Sequence, residues 1–422
     1  MVAFPTLEHI NINGKVVLLR TDLNVPMQGG RVTDNTRIVR LLPTLEYLIS
    51  RKARVVLLSH FGRPEGKFVP SMSLAPLVDA VSAVLGGMPV KFGVDCIGPA
   101  AQEAVNSLLP GEVLLLENLR FHPEEEKGDA HFAKALASLG EVFVNDAFSC
   151  SHRAHASITG LADYLPVAAG RLMQQELEVL GGIFNTPQKP MGAIIGGSKV
   201  STKLDLLDNL TKTMDVLCIG GAMANTFLAA QGHSVGASIH EKNMKKTALN
   251  ILKNAEKNNC RIVLPTDLVV ASQFKPHADC IITNVTDIPE TWTAVDIGPE
   301  SLGVFIEALS ACKTLVWNGP IGAFETSPFD GATVHLSRLV AKLTREGKLR
   351  SIAGGGDTVS ALSHAGLSAG FSYLSTAGGA FLEWLEGKAL PGVAVLEKAG
   401  ANLAELEEKR LHSLQPTQGY MA

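Results

Sequence analysis

Val16-Val-Leu-Leu-Arg-Thr-Asp-Leu-Asn-Val-Pro26 passes from four consecutive apolar residues into a polar loop stopped by proline. An apolar run without polar alternation suits a strand covered on both faces, as in a parallel sheet. The loop after such a strand lies at its carboxyl end, where open α/β sheets bind ligands. The unit recurs. Val55–Ser59 leads into His60-Phe61-Gly62-Arg63-Pro64, and Val113–Leu116 into Glu117-Asn118-Leu119-Arg120-Phe121-His122. Val142–Asn145 leads into Asp146-Ala147-Phe148-Ser149, with Ser151-His152-Arg153-Ala154-His155 close behind. Further strands are expected at Ala193–Ile195, Val216–Ile219, Ile262–Leu264, Thr314–Trp317 and Ser351–Ala353. Amphipathic stretches lie between them; after Thr36, the residues Ile38, Leu41, Leu42, Leu45, Leu48 and Ile49 keep one helical face apolar. The alternation predicts an α/β protein with two doubly wound, Rossmann-like parallel sheets.

A chain of 422 residues exceeds one ordinary core, which also favours two domains. The first is expected over residues 1–170. Arg171–Leu180 reads as a connecting helix ended by Gly181-Gly182, within a joining segment 171–185. The second domain follows over 186–387. The tail after Gly400 is charged and bears Gln and Pro, and its last residues are expected to fray.

Hydrophobic residues at 46% and charged residues at 18% describe a packed globular chain. A net charge of −4 provides no global field for nucleic acid or anionic lipid, so anions must be met by local clusters. Six scattered cysteines form no C-x-x-C and no disulfide framework, and read as buried residues. With no signal-peptide pattern and no long apolar run, a soluble cytoplasmic protein is expected.

The polar residues after the first four strands carry the chemistry. Arg37, Arg63, Arg120 and Arg153 can converge at one sheet edge with Asp22, Asn24 and His60. Guanidinium forks match phosphate and carboxylate oxygens in pairs. Ten arginines fall in the first 175 residues and five in the remaining 247, which places the more highly charged small substrate on the first domain. The second half has a different vocabulary. Gly196-Gly197-Ser198-Lys199-Val200-Ser201-Thr202-Lys203 and Gly354-Gly355-Gly356-Asp357-Thr358 follow strands and open helices. Such turns bring backbone amides and a helix N-terminus to a phosphate. Lys199 and Lys203 are read as sharing one helical face, and Asp357 as an N-cap and Mg²⁺ ligand. Asn318 and Glu325, in Trp317-Asn-Gly-Pro-Ile-Gly-Ala-Phe-Glu325, stand where a nucleoside could sit. No Walker P-loop and no G-x-G-x-x-G occurs, which counts against a nicotinamide-dependent dehydrogenase. His152-x-x-His155 has possible metal spacing but no local acidic or cysteine partner.

These signatures, with R-T-D-L-N-V-P at Arg20–Pro26, S-H-F-G-R-P at Ser59–Pro64, E-N-L-R-F-H at Glu117–His122 and N-D-A-F at Asn145–Phe148, resemble phosphoglycerate kinase to about Val395. The resemblance implies a hinge-bending monomer around a broad cleft, with the segment from about 388 to 422 packing back on the first domain. It implies a reversible, Mg²⁺-dependent glycolytic transfer from 1,3-bisphosphoglycerate to ADP. By matching position, Asp22, Asn24, His60, Phe61, Gly62, Arg63, Arg120 and Arg153 would hold the glycerate, and Arg37 would reach the transferring phosphoryl. Lys199 would stabilise that group in flight, with Lys203, Gly196, Gly197, Asn318, Glu325, Gly355, Gly356, Asp357 and Thr358 around the nucleotide. The remaining rival is a non-enzymatic nucleotide-binding paralogue on the same fold. Two departures stand out: Ala377 replaces a glycine of the family turn S-T-G-G-G-A, and Phe61 replaces a leucine, a change of packing only.

Overall fold

The computed structural model describes residues 4–184 and 186–413; Asn185 and the last residues of the tail lie outside them. The chain divides into two compact units. One comprises residues up to Glu178 together with the segment from Ala389, the other Val179–Lys388.

The first unit is built on six parallel strands in the spatial order Val90–Gly93, Val113–Leu116, Arg54–Leu58, Val16–Arg20, Val142–Asn145, Val167–Ala169. Val17, Leu19, Val55, Leu57, Val113, Leu115, Val142 and Val144 face one core. The alternate residues Leu18, Val56, Leu114 and Phe143 are equally sealed on the other face. Burial of each such side chain is worth about 1.5–3 kcal/mol over exposure, which is why the strand contains no polar alternation.

The second unit carries six parallel strands in the order Arg261–Val263, Val216–Ile219, Met191–Ile195, Thr314–Asn318, Arg350–Gly354, Tyr373–Ser375. In chain order this is 3-2-1-4-5-6, the Rossmann arrangement. Its direction reverses between Met191–Ile195 and Thr314–Asn318. In the first sheet the reversal falls between Val16–Arg20 and Val142–Asn145. At a reversal the outgoing connections diverge to opposite faces and leave a crevice at the carboxyl ends.

Several local expectations are corrected. The stretch after Thr36 forms two helices, Thr36–Val39 and Leu42–Ser50, with Pro43 in the first turn of the second. Proline offers no N–H for a continuous helix but is accepted in a first turn. The connecting helix runs Arg171–Phe184, through Gly181-Gly182. A Cβ at Gly182 would come within 2.7 Å of the Arg350 guanidinium, which donates to the Val179 carbonyl. A three-stranded antiparallel sheet, with Asp267–Ala271 between Cys280–Asn284 and Thr293–Ile297, has no counterpart in the sequence reading. Cys280, on its exposed outer strand, is the one cysteine that is not buried. The final helix spans Pro391–Ser413, and the Gly392 N–H donates to the Ser151 carbonyl at 2.8 Å.

Ala377 is settled by its backbone. It lies outside the left-handed region, is 4% exposed, and donates its N–H to Ser375 Oγ at 3.3 Å. Its neighbour Gly378, at φ 54°, makes the turn. Ala377→Gly should therefore lower stability by about 0.5–1 kcal/mol in denaturant unfolding, through greater freedom of the unfolded chain; a gain would contradict this reading.

Candidate active site

In the first unit, Asp22 is the hub of the crevice. It pairs with Arg37 across the loop and accepts from Ser149 Oγ at 2.5 Å and from the Asn24 N–H at 3.1 Å. Ser149 belongs to the loop after Val142–Asn145, so this contact spans the topological reversal. Asn24 Oδ1 in turn accepts from the Gly62 N–H at 3.1 Å. The Gly62 carbonyl accepts from Arg120 Nη1 at 2.9 Å, and Arg120 Nε pairs with Glu126 at 3.1 Å. Asn118, buried, bonds both to the Phe61 N–H and to its carbonyl, which fixes that loop. Phe61 itself packs against the core, as its sequence reading required.

The four arginines are not equivalent. Arg37 and Arg120 are half-buried and held by carboxylates, whereas Arg63 and Arg153 are exposed. Burial, reinforced by Arg20, Arg120 and Arg37 and opposed by Asp22, pulls His60 to a pKa of about 3. His155 falls to about 4, again chiefly from burial, with Arg120, Arg20 and Arg153 adding to it. Neither ring is cationic at neutral pH, so the crevice's positive charge comes from arginine. The histidine pair forms no metal cluster. Among the described residues one group, Asp95, Cys96 and His122, has its ligand atoms within 4.8 Å of one another; there His122 Nε2 meets Asp95 at 2.7 Å.

Asp146, which follows Val142–Asn145, is a helix anchor. Fully buried, and raised by that burial to about 6, it accepts from the Met173 N–H at 3.0 Å in the first turn of Arg171–Phe184.

In the second unit three loops meet at the reversal. Lys203 Nζ donates to the Gly196 carbonyl and to Asn318 Oδ1, both at 2.7 Å. Asn318 Nδ2 donates to the Gly354 carbonyl at 2.8 Å, and Thr358 Oγ1 accepts from the Gly319 N–H at 2.7 Å. The approach is close enough to demand glycine: a Cβ on Gly196 would lie 1.8 Å from the Pro320 carbonyl oxygen. At Gly355, φ is 99° and a Cβ would meet Asn318 Nδ2 at 2.6 Å. Burial lowers Lys203 to about 8, with Asp357 pulling the other way.

Lys199 and Lys203 do not share a helical face. Lys199 is exposed and precedes the short turn Ser201–Lys203, and the helix proper starts at Leu204. Asp357 is not an N-cap either: Gly355 caps the helix Gly356–His364, and Asp357 stands exposed in its first turn. A cavity of about 310 Å³ opens beside these loops, lined by Gly197, Ser198, Glu325 and Asp357 on its polar side. Ile239, Leu268, Phe274, Val295 and Ile321 supply an apolar wall. The sequence reading missed that wall because Leu268, Phe274 and Val295 come from an unforeseen sheet and its connecting loop. It also missed Ser149, Asn118 and Arg20. The signal for Arg20 was present: a charged residue closing an otherwise apolar strand must be buried with partners.

No helix among the described residues is long and apolar enough to cross a membrane. The family model for phosphoglycerate kinase matches residues 7–388. Relatives named phosphoglycerate kinase from Ruegeria sp. and Caulobacter vibrioides are 54% and 53% identical over 396 residues, covering 94% of this chain and all of each relative. The chain is also similar to the solved structure of phosphoglycerate kinase from Coxiella burnetii, with a TM-score of 0.86 and 41% identity over 94% of this chain and 100% of that one. The enzyme from Pyrococcus horikoshii aligns with a TM-score of 0.77 at 30% identity, over 94% of this chain and 99% of that one. With arginines at one topological reversal, glycines and a half-buried lysine at the other, and this similarity along nearly its whole length, the chain belongs to the phosphoglycerate kinase family.

Proposed function

We propose that the chain reversibly transfers the acyl phosphate of 1,3-bisphosphoglycerate to Mg-ADP, giving 3-phosphoglycerate and ATP. The observation that carries this reading is the pair of unlike crevices, one lined by arginines and one by glycine turns and Lys203, at the reversal of each sheet. The bond from phosphorus to the acyl oxygen breaks, and one to the terminal ADP oxygen forms. A carboxylate leaving group requires no strong general acid, and in the first crevice His60 and His155 are neutral. Positioning and charge neutralisation do the catalytic work.

In this reading the first unit takes phosphoglycerate. Asp22, Asn24, His60, Arg63, Arg120 and Arg153 hold the glycerate and its static phosphate, with the Phe61-Gly62 backbone beside them. Arg37, held in place by Asp22, reaches the transferring group. The second unit takes the nucleotide. Its base lies against the apolar wall, and Glu325 accepts from the ribose. The Gly196-Gly197 and Gly355-Gly356 turns, Asn318 and Thr358 frame the phosphates. Lys203 contacts those phosphates and Lys199 stabilises the phosphoryl in flight. The donor set suits Mg²⁺ in the form this cation prefers, one exposed carboxylate plus phosphate oxygens and water. Asp357, at the mouth of the cavity, would hold it. When bound, the ion neutralises charge on the nucleotide phosphates. The enzyme works as a cytoplasmic monomer, and its two units close to bring the substrates together and exclude water.

A coupled assay with Mg-ATP and 3-phosphoglycerate should show turnover, and Arg37→Ala and Lys199→Ala should each lower kcat by about 100-fold or more. Absence of turnover in the native chain would leave the binding-protein reading. X-ray scattering should show compaction only with both substrates present, and an unchanged profile would remove closure from the mechanism. Phosphates favour the charged form of Lys203, whose free-state pKa is about 8. Nucleotide affinity should therefore be level below that pH and fall above it, approaching about tenfold per unit; a level profile to pH 10 would contradict the role of Lys203.

A further inference from the structure

Arg20 closes the strand Val16–Arg20 and is 1% exposed. A guanidinium stays protonated and presents only donors. Its Nε donates to Ser157 Oγ at 2.8 Å, one terminal nitrogen donates to the Thr21 carbonyl, and the other faces His60 Nδ1 at 3.3 Å. Among the described residues its charge meets no carboxylate directly. It is relayed through Ser157, whose hydroxyl donates to the buried Glu125 at 2.5 Å. Burying a charge on so indirect a partner is costly.

His60 is 5% exposed, and its neutral ring has one donor nitrogen and one acceptor. Because Arg20 can only donate, Nδ1 must carry the lone pair. A second donor agrees: the Cys150 thiol, kept protonated by burial, lies 3.9 Å from the same Nδ1. The proton is left on Nε2. That atom makes no hydrogen bond within the described residues, yet it is not among the sealed polar atoms. It remains available to a ligand.

We propose that Arg20 is a positioning residue that locks His60 as the neutral Nε2–H tautomer, so that the ring offers a fixed donor to an oxygen of phosphoglycerate. The proposal rests on the phosphoglycerate reading of this crevice. The opposite tautomer would aim a lone pair at an anionic oxygen. A ring titrating at the ordinary histidine value would make substrate affinity depend on pH near neutrality. The groups facing the ring are Arg20, Arg37, Arg120, Asp22 and Cys150; burial together with the three guanidinium charges outweighs the carboxylate and keeps the ring neutral.

The test is nitrogen NMR of the full chain with ¹⁵N-labelled histidine, beside Arg20→Met, which keeps an unbranched apolar stem but removes every guanidinium donor and leaves Ser157 able to bond Glu125. The native protein should show a protonated Nε2 and bare Nδ1 on His60, unchanged from about pH 5 to 9. In Arg20→Met the ring should become a tautomer mixture. KM for 3-phosphoglycerate should rise about tenfold, with KM for Mg-ATP unchanged. A proton on Nδ1 in the native protein, or an Arg20→Met ring with unaltered nitrogen shifts, would overturn the proposal. Should Arg20→Met not fold, the native spectrum and a second pair decide. His60→Gln places an amide N–H near Nε2 and should retain more affinity than His60→Asn, whose amide lies near Nδ1; equal losses would overturn it. The nitrogen shifts need no turnover, so their failure is distinguishable from failure of the kinase reading.

Discussion

Burial of the central parallel strands on both faces is the constraint from which the rest follows. Val17, Leu18, Leu19 and their neighbours leave no room for polar side chains along the strand, so polar chemistry is displaced to the carboxyl-end loops. Sheet order then selects which loops matter. In each unit the two strands flanking the reversal send their chains to opposite faces, and the loops they release form the crevice. Asp22 with Ser149 bridges one reversal, and Lys203 with Asn318 bridges the other.

The two crevices solve the same electrostatic problem differently. In the first, charge is carried by arginines, and the neighbouring histidines are kept neutral by burial and by those arginines. In the second, glycine at Gly196 and Gly355 allows approaches that a side chain would obstruct, and on the proposed reading the backbone amides there meet the phosphates. The half-buried ammonium of Lys203 ties those loops together. Desolvation lowers its pKa to about 8, which leaves it mostly charged at neutral pH, and a bound anion would favour that charge further.

Much of this was legible in the sequence. Strands such as Val113–Leu116, Val142–Asn145 and Val216–Ile219 fall where their apolar runs place them, because full burial leaves an unbroken hydrophobic signature. Arg54–Leu58 ends one residue early, and Ser59 beyond it donates its hydroxyl to the Thr21 carbonyl and accepts from the Leu23 N–H. The edge strands Val90–Gly93, Val167–Ala169 and Tyr373–Ser375 are short, and the first is only partly buried, so they lack that signature. Cys280–Asn284 is largely exposed, and no strand was expected there. Lys199 and Lys203 were placed by counting residues along a helix that does not begin until Leu204. Arg20 was visible in its motif, but only the three-dimensional structure shows that it faces inward to His60.

The central claim is that phosphoglycerate and nucleotide are held by different units, each at its own reversal. Amide hydrogen exchange with one ligand at a time addresses it directly. With 3-phosphoglycerate alone, protection should rise around residues 22–24, 61–63 and 120, while Gly196–Gly197, Gly319 and Gly355–Thr358 stay as in the free protein. With Mg-ATP alone the pattern should reverse. Protection of both sets by either ligand alone, or of the opposite set, would contradict the division.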